Sequence, residues 1–192
     1  MICVALLDID GILTDGAVYV DSLGKETKRI QFDDIDAIFK LKREGIKIGF
    51  ITGEDNDFCQ YVKTRFNPDF FLVGCKDKLG GFKKLAEKNN LDKETVCYAG
   101  DSERDIELLK YVGYSFAPND VDLIVKNSAK MVLKVSRGQG VIKELTEIIL
   151  QNREGKIKVN PGYDGVYGKA IIKESSKITK KLGDFKKKNS GY

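Results

Sequence analysis

The sequence contains no histidine. Histidine is the most common general base, a frequent zinc ligand and the usual partner of a serine or cysteine nucleophile, so its absence excludes the familiar forms of those sites. Any chemistry must therefore rely on carboxylates, lysines and hydroxyls. Four cysteines are present but scattered, without the spacing of metal ligands, and we expect them to be small core residues of a reduced, cytoplasmic protein: Cys3, Cys59, Cys75 and Cys97.

The sequence also lacks a long apolar run. None approaches the ~20 residues of a membrane span, and the amino terminus lacks the features of a signal peptide, so we expect no membrane partner. The 192 residues, 42% hydrophobic and 32% charged, are enough for one globular domain with a full core. Residues 151–192 hold eleven Lys or Arg and four Asp or Glu, a net charge of +7, whereas residues 1–150 carry −3. This difference predicts a main domain over 1–150 and a basic extension over 151–192.

Short apolar segments alternate with segments of helical periodicity along the main domain. Strands are predicted over 2–7, 46–51, 70–73, 95–99, 113–116 and 130–133. Helices are predicted over 34–44, 55–66, 76–90, 103–111, 119–126 and 140–150. A β-hairpin with strands near 17–20 and 27–32 follows the first strand. The alternation predicts an α/β fold with a doubly wound parallel sheet.

Two carboxylates, Asp8 and Asp10, follow the first strand and precede Gly11. Open α/β sheets bind their ligands at the carboxyl ends of strands, where these side chains would lie. Like charges this close favour a Mg²⁺ ion, a shared proton, or both. A capped turn is the ordinary structural alternative, because aspartate favours turns.

Other polar residues follow later strands. Thr52 and Gly53 end the second predicted strand, Lys78 begins a helix, and Asp101 and Asp105 follow the strand over 95–99. A hydroxyl beside a glycine amide can hold phosphate oxygens, a lysine can neutralise them, and carboxylates can bind Mg²⁺. Phosphoryl transfer needs these parts and little else. Singly, each residue fits a turn, a solvated charge or a helix cap; their combination favours a site.

These segments resemble the four motifs of the haloacid dehalogenase-type phosphatases. The matching residues are Asp8-Ile-Asp10-Gly, Thr52-Gly53, Lys78 and Gly100-Asp101-Ser-Glu-Arg-Asp105. Leu13-Thr14-Asp15-Gly16, the hairpin, the Gly74 to Lys78 spacing and Gly138-Gln-Gly140 are similar to the sugar-acid branch. That branch contains the KDO 8-phosphate phosphatases and their nonulosonate 9-phosphate relatives. The resemblance covers residues 2 to 150.

The resemblance implies a Mg²⁺-dependent phosphatase that acts through an aspartyl-phosphate. Asp8 would be the nucleophile, and Asp10 would protonate the leaving sugar oxygen and then activate water. Thr52 and Lys78 would hold the phosphoryl group, with Gly53 in support. The implied metal ligands are Asp8, the main-chain carbonyl of Asp10 and Asp101, with Asp105 supporting them.

The branch lacks a cap domain, and the intervals between motifs leave no room for one here. The branch closes its site by tetramer formation, with one subunit's hairpin reaching the next site. Glu54 stands where KDO-type members tend to have arginine, so the resemblance implies a sugar-acid phosphate of open carbon count: KDO 8-phosphate or a KDN or sialic-type 9-phosphate. Arg65 is a candidate contact for the sugar carboxylate, with a surface salt bridge as the alternative.

The basic extension lies outside the resemblance. Pro161 to Gly165 is a turn cluster, and Ile178, Leu182 and Phe185 have helical spacing. A docked helix or a solubilising tail is favoured, and no nucleic-acid partner is expected. Two other functions remain open: a phospho-accepting receiver domain of signalling proteins, or a phosphatase-like scaffold that has lost its activity.

Overall fold

The structure is a computed structural model that describes residues 1–155 and the backbones of residues 157–160 and 169–172. Its strands are β1 (Val4–Leu7), β2 (Tyr19–Val20), β3 (Glu26–Thr27), β4 (Lys47–Ile51), β5 (Phe70–Leu72), β6 (Val96–Ala99), β7 (Tyr114–Ala117), β8 (Met131–Val132), β9 (Ile157–Asn160) and β10 (Lys169–Ile172). Its α-helices are α1 (Phe32–Arg43), α2 (Asp57–Phe66), α3 (Lys78–Asn89), α4 (Ile106–Tyr111), α5 (Leu123–Ser128) and α6 (Val141–Arg153).

Six strands form one parallel sheet in the order β5-β4-β1-β6-β7-β8. The first strand lies in the middle: Leu7 pairs with Phe50 of β4 on one side and with Ala99 of β6 on the other. Chain order reverses at β1, which makes the sheet doubly wound. The predicted fold class is therefore confirmed. The carboxyl ends of β1, β4 and β6 lie side by side, where such sheets bind ligands.

Side chains along β1 point alternately to the two faces of the sheet, and helices cover both of these faces. Val4 and Leu6 pack in one core cluster with residues of α3, α4 and α5. Ala5 and Leu7 pack in the other with residues of α1, α2 and α6. All four side chains are buried, and full burial of one leucine stabilises the fold by roughly 1.5–3 kcal/mol. This packing holds the end of β1 rigidly in the centre of the molecule.

The hairpin is shorter than its sequence pattern predicts. Strands β2 and β3 pair antiparallel over only two residues each, and α1 begins at Phe32, two residues before its predicted start. An isolated antiparallel bridge between Thr14 and Ile30 closes the base of the hairpin. Between the ends of β1 and β4, the chain forms this hairpin and α1, with no cap domain. The role of the hairpin as a flap stays a prediction.

The end of the main domain differs from its predicted position. Helix α6 continues to Arg153 rather than ending near residue 150. Beyond it, β9 and β10 pair antiparallel as a separate two-stranded sheet. The turn cluster over 161–165 and the helix around 178–185 lie outside the described residues, and the division into two domains stays a prediction. In the part of the chain that the structure describes, no helix is both long and apolar enough to span a membrane.

Candidate active site

Residues from separate strand ends meet in one cleft. Asp8 directly follows β1, Thr52 follows β4, and Asp101 lies two residues beyond β6. The cleft has a volume of about 220 Å³, below the roughly 300–1,000 Å³ that encloses a drug-sized ligand. Its lining residues are Asp8, Asp10, Gly16, Thr52, Gly53, Glu54, Lys78, Asp101, Ser102, Arg104 and Arg137.

Gly11 permits the close approach of two chain segments. Its φ of +79° lies in the left-handed region, which glycine adopts without strain. A Cβ atom at this position would lie 2.0 Å from a carboxylate oxygen of Asp101. Any larger residue would therefore displace the Asp101 carboxylate. The glycine that follows the acidic pair in the sequence is required for the carboxylates to gather.

Lys78 forms the centre of the cleft floor. Its Nζ lies 2.6 Å from Asp8 Oδ2 and 2.6 Å from Asp105 Oδ1. The lysine is only 4% exposed, and Asp8 and Thr52 are 6% and 2% exposed. A buried ammonium needs such partners, because burying an unpaired charge costs several kcal/mol. The first residue of α3 is thus held between a carboxylate at the end of β1 and one in the turn before α4.

Asp105 has donors around both carboxylate oxygens. Tyr98 donates its hydroxyl to Oδ1, which also accepts from Lys78. Oδ2 accepts the N–H of Asp101 at 3.1 Å and both the N–H and the hydroxyl of Ser102 at 2.9 and 2.8 Å. Asp105 therefore organises the loop after β6, and its oxygens are already occupied.

The carboxylates on the floor differ in pKa. Burial raises the pKa of Asp8 to about 7, and the positive charge of Lys78 only partly offsets this. Burial raises the pKa of Asp101 to about 6, and the nearby charge of Asp105 adds to the shift. Burial alone would raise the pKa of Asp105, but the positive charge of Lys78 and the hydrogen bonds that Asp105 accepts lower it below its ordinary value. Negative charge on Asp8 and Asp101 is thus incompletely compensated.

The donor set fits a hard divalent cation. Asp8, Asp101 and Asp105 each place one carboxylate oxygen within 4.8 Å of the others. Mg²⁺ prefers oxygen ligands and would supply the positive charge that Asp8 and Asp101 lack. Asp105 accepts five hydrogen bonds, whereas Asp8 accepts two, from Lys78 and the Ile9 N–H, and Asp101 accepts one, from Arg137. Asp8 and Asp101 therefore keep more lone pairs for an ion than Asp105 does.

Lys28 is a residue of the site that the sequence pattern did not reveal. Its Nζ donates to both carboxylate oxygens of Asp10, at 2.7 and 2.9 Å. The hydroxyl of Thr14 also donates to Asp10, at 3.3 Å. A lysine in a hairpin whose polar and apolar residues alternate is ordinarily exposed to solvent. Only the three-dimensional path of the chain brings Lys28 to Asp10.

Charged residues of both signs line the rim. Glu54 is exposed there, as is Arg104, whose Nη1 would lie 3.7 Å from a Cβ placed on Gly53. Arg137 Nη1 lies 3.4 Å from Asp101 Oδ2, and its Nε lies 3.2 Å from Asp120 Oδ2. The sequence pattern singled out neither arginine.

Arg65 does not line this cleft. It lies in the last turn of α2, and its guanidinium carbon is 5.9 Å from the centre of the Phe39 ring in α1. That face of α2 is directed towards α1 rather than towards the carboxyl ends of the strands. Contact between Arg65 and a sugar carboxylate in the same chain's cleft is therefore not supported.

Comparison with known proteins places this site in a family. Residues 74–145, which include Lys78, Asp101 and Asp105, match the model of the haloacid dehalogenase-like hydrolases. The 3-deoxy-D-manno-octulosonate 8-phosphate phosphatase KdsC of Haemophilus influenzae is 29% identical over 154 residues, which cover 80% of this chain and 85% of that protein. The chain contains a haloacid dehalogenase-like hydrolase domain.

Further matches cover about three quarters of the chain. The 3-deoxy-D-manno-octulosonate 8-phosphate phosphatase of Moraxella catarrhalis, whose structure holds magnesium, phosphate and KDO, aligns with a TM-score of 0.74 and 25% identity. That alignment covers 78% of this chain and 86% of the other. The N-acylneuraminate cytidylyltransferase A of Danio rerio is 29% identical over 151 residues, which cover 76% of this chain but 34% of that protein. The resemblance that the motifs predict is therefore confirmed.

Proposed function

We propose that this chain is a Mg²⁺-dependent phosphomonoesterase that releases phosphate from a phosphorylated 3-deoxy-2-keto sugar acid. The observation that carries the proposal is the buried contact of Asp8 with Lys78 on the floor of a strand-end cleft, beside Thr52 and Asp101. A hydrolase domain of this family and relatives named as phosphatases support it.

Asp8 acts as the nucleophile in this proposal. One of its carboxylate oxygens attacks phosphorus, the bond from phosphorus to the sugar oxygen breaks, and the leaving oxygen takes a proton from Asp10. Water then attacks the phosphorus of the aspartyl-phosphate and gives its proton to Asp10. The bond between phosphorus and Asp8 breaks, which returns both carboxyl groups to their initial forms and releases phosphate.

The transferred phosphoryl group binds on the cleft floor. The Thr52 hydroxyl and the Lys78 ammonium face it, and Gly53 leaves space beside it. Because Thr52 and Lys78 are almost completely buried, water does not weaken their electrostatic effect as it would at the surface. Lys78 also keeps Asp8 in place before the substrate arrives.

Mg²⁺ is the proposed cofactor, with Asp8, Asp101 and the main-chain carbonyl of Asp10 as its ligands. When bound, the ion neutralises the charge shared between the nucleophile and the phosphoryl oxygens. Asp105 supports the site indirectly, since its hydrogen bonds fix the loop that carries Asp101.

The rim recognises the sugar acid. Arg104 and Arg137 are positive groups outside the phosphoryl site, where the substrate carboxylate can reach them, and Glu54 can accept hydrogen bonds from sugar hydroxyls. Names of relatives point both to KDO 8-phosphate and to nine-carbon N-acylneuraminate chemistry. We therefore propose either an eight-carbon or a nine-carbon acid phosphate as the substrate.

A phosphate-release screen tests this function. KDO 8-phosphate, KDN 9-phosphate, N-acetylneuraminate 9-phosphate and simple sugar phosphates are compared with Mg²⁺ and with EDTA. We expect a sugar-acid phosphate to give the highest kcat/KM and EDTA to abolish its turnover. Preference for a neutral sugar phosphate would contradict the substrate class. Absence of turnover across all esters would favour the scaffold function.

The cleft is small, and a neighbouring subunit in an oligomer would cover it and enclose the substrate. Four apolar residues of the hairpin segment are exposed, with exposed fractions of 47% for Val18, 56% for Tyr19, 62% for Val20 and 91% for Leu23. Contiguous exposed apolar groups commonly mark protein interfaces. We propose a homotetramer in which each hairpin covers a neighbouring cleft.

Light scattering tests this assembly. Leu23→Glu should lower the oligomeric state, whereas the matched change Lys25→Glu on the same hairpin should not. An unchanged Leu23→Glu tetramer would contradict this role of the hairpin.

A cytoplasmic location is also proposed. All four cysteines are free thiols, with Cys59 and Cys97 buried. Free thiols are typical of reducing compartments. The absence of a disulfide is compatible with a cytoplasmic pathway for sugar-acid phosphates.

A further inference from the structure

The Lys28 side chain reaches inward from the base of the hairpin. Lys28 directly follows β3, yet its side chain is only 7% exposed. Its Nζ lies 5.3 Å from the centre of the Phe58 ring in α2, in addition to its two hydrogen bonds to Asp10. The ammonium is therefore held between an aromatic face and a carboxylate, which restricts its position.

Lys28 provides the strongest contacts that orient Asp10. The only other side-chain donor to this carboxylate within the described residues is Thr14, whose neutral hydroxyl is 3.3 Å away. A charge-assisted hydrogen bond of 2.7 Å is roughly twice as strong as a neutral one. Asp10 is 35% exposed, so without Lys28 its carboxylate would be free to turn towards water.

The same contact joins Asp10 to the hairpin. The bridge between Thr14 and Ile30 closes the hairpin base, and Lys28 lies two residues from that bridge. A displacement of β3 would therefore move the Lys28 ammonium and, through it, the Asp10 carboxylate. Lys28 contacts both oxygens of the Asp10 carboxylate, so it fixes the direction in which this carboxylate faces the attacking water.

We propose that Lys28 is a positioning residue that holds the Asp10 carboxylate for the second half-reaction, in which water hydrolyses the aspartyl-phosphate. This inference rests on the proposed function. Lys28 contacts no reacting atom in this role; it acts through the orientation of Asp10. Misplacement of a catalytic group by about 1 Å can slow a reaction on the order of 100-fold.

The test separates formation of the aspartyl-phosphate from its hydrolysis. With p-nitrophenyl phosphate the leaving group needs little protonation, so the first half-reaction depends weakly on Asp10. Lys28→Met should lower steady-state turnover about 100-fold. Stopped-flow should show a burst of nitrophenolate close to one equivalent per enzyme, because the aspartyl-phosphate accumulates. Lys28→Arg, which keeps a charged donor, should restore part of the turnover and shrink the burst.

Controls keep the outcomes distinct. Lys25→Met removes an exposed lysine from the same hairpin and should change neither the burst nor the turnover. Thermal unfolding of each variant checks that it is folded; if Lys28→Met is not, Lys28→Arg carries the test alone. Slower turnover without a burst, or unchanged turnover, would overturn the role of Lys28 and leave the phosphatase proposal intact. A wild-type enzyme inactive on every phosphate ester would overturn both.

Discussion

Two completely buried aspartates, Asp105 in the cleft floor and Asp34 at the junction of α1 and α6, have opposite pKa shifts. Asp34 Oδ1 accepts the N–H of Lys143 at 2.8 Å, but its Oδ2 has no hydrogen-bond partner. Burial therefore raises the pKa of Asp34 to about 6. The pKa of Asp105 is lowered, because Lys78 and several hydrogen-bond donors surround it. Burial sets the cost of a charge, and the surrounding donors decide whether it is offset.

Asp8 shares one feature with Asp105 and another with Asp34. It lies beside Lys78 like Asp105, yet its pKa is raised like that of Asp34. The reason is that burial raises the Asp8 pKa and the shared charge of Lys78 only partly offsets it. Besides Lys78, Asp8 accepts only the N–H of Ile9, whereas Asp105 accepts four further hydrogen bonds, from Tyr98, Asp101 and Ser102. The floor therefore contains a compensated carboxylate that supports structure and an uncompensated one that is available for a cation and for reaction.

The largest expected effect is on turnover. Asp8→Asn removes the nucleophile and should lower kcat by at least about 10³-fold. Urea unfolding in EDTA should show unchanged or increased stability, because an incompletely compensated buried charge is lost. Asp34→Asn is the matched control and should retain wild-type kcat, since Asp34 lies outside the cleft. A fully active Asp8→Asn enzyme would refute the assignment of the nucleophile.

Replacement of Lys78 should affect both stability and turnover. Lys78→Met leaves two buried carboxylates without their shared cation, a loss of about 3–5 kcal/mol in the free energy of unfolding. The loss should grow as pH rises, because protonation of Asp8 relieves the repulsion at lower pH. Urea unfolding in EDTA measures it. Lys84→Met, at an exposed position of the same helix, is the control and should change stability by less than about 0.5 kcal/mol. Equal losses in the two variants would contradict the role of Lys78.

The smallest expected effect concerns Asp34 and pH. Its folded-state pKa of about 6 lies above the ordinary 3.8, so the folded protein binds this proton more tightly than the unfolded chain. The resulting stability is present below about pH 4 and is lost as pH rises through about 6. Asp34→Asn removes this titration. Urea unfolding at several pH values should show the variant gaining up to about 3 kcal/mol relative to wild type between pH 4 and 7; a pH-independent difference would contradict the shift.

Much of the fold is encoded in local patterns. The apolar run before Asp8 predicts β1, and alternation of strands with helices predicts the parallel sheet that the structure contains. Strand ends then place Asp8, Thr52 and Asp101 together, because parallel strands share one carboxyl edge. These predictions succeed since they depend on burial and chain direction alone.

Other features depend on the three-dimensional path of surface segments. Lys28 sits in a polar alternating run, and no pattern shows that its side chain turns inward to Asp10. From the sequence, Arg65 is a candidate contact for the sugar carboxylate, but its guanidinium lies over the Phe39 ring because of the orientation of α2. Arg104 lies in the short 3-10 turn Glu103–Asp105 before α4, where an arginine is usually solvated. No sequence pattern indicates the contact of Asp34 with α6.

The most direct test of the account is the location of the covalent intermediate. The enzyme is mixed with p-nitrophenyl phosphate and Mg²⁺, quenched in acid within milliseconds, digested and analysed by mass spectrometry. The account predicts a phosphoryl group on Asp8 that hydroxylamine removes. A phosphoryl group on another residue, or phosphate release with no labelled Asp8 under conditions that trap the intermediate, would contradict it.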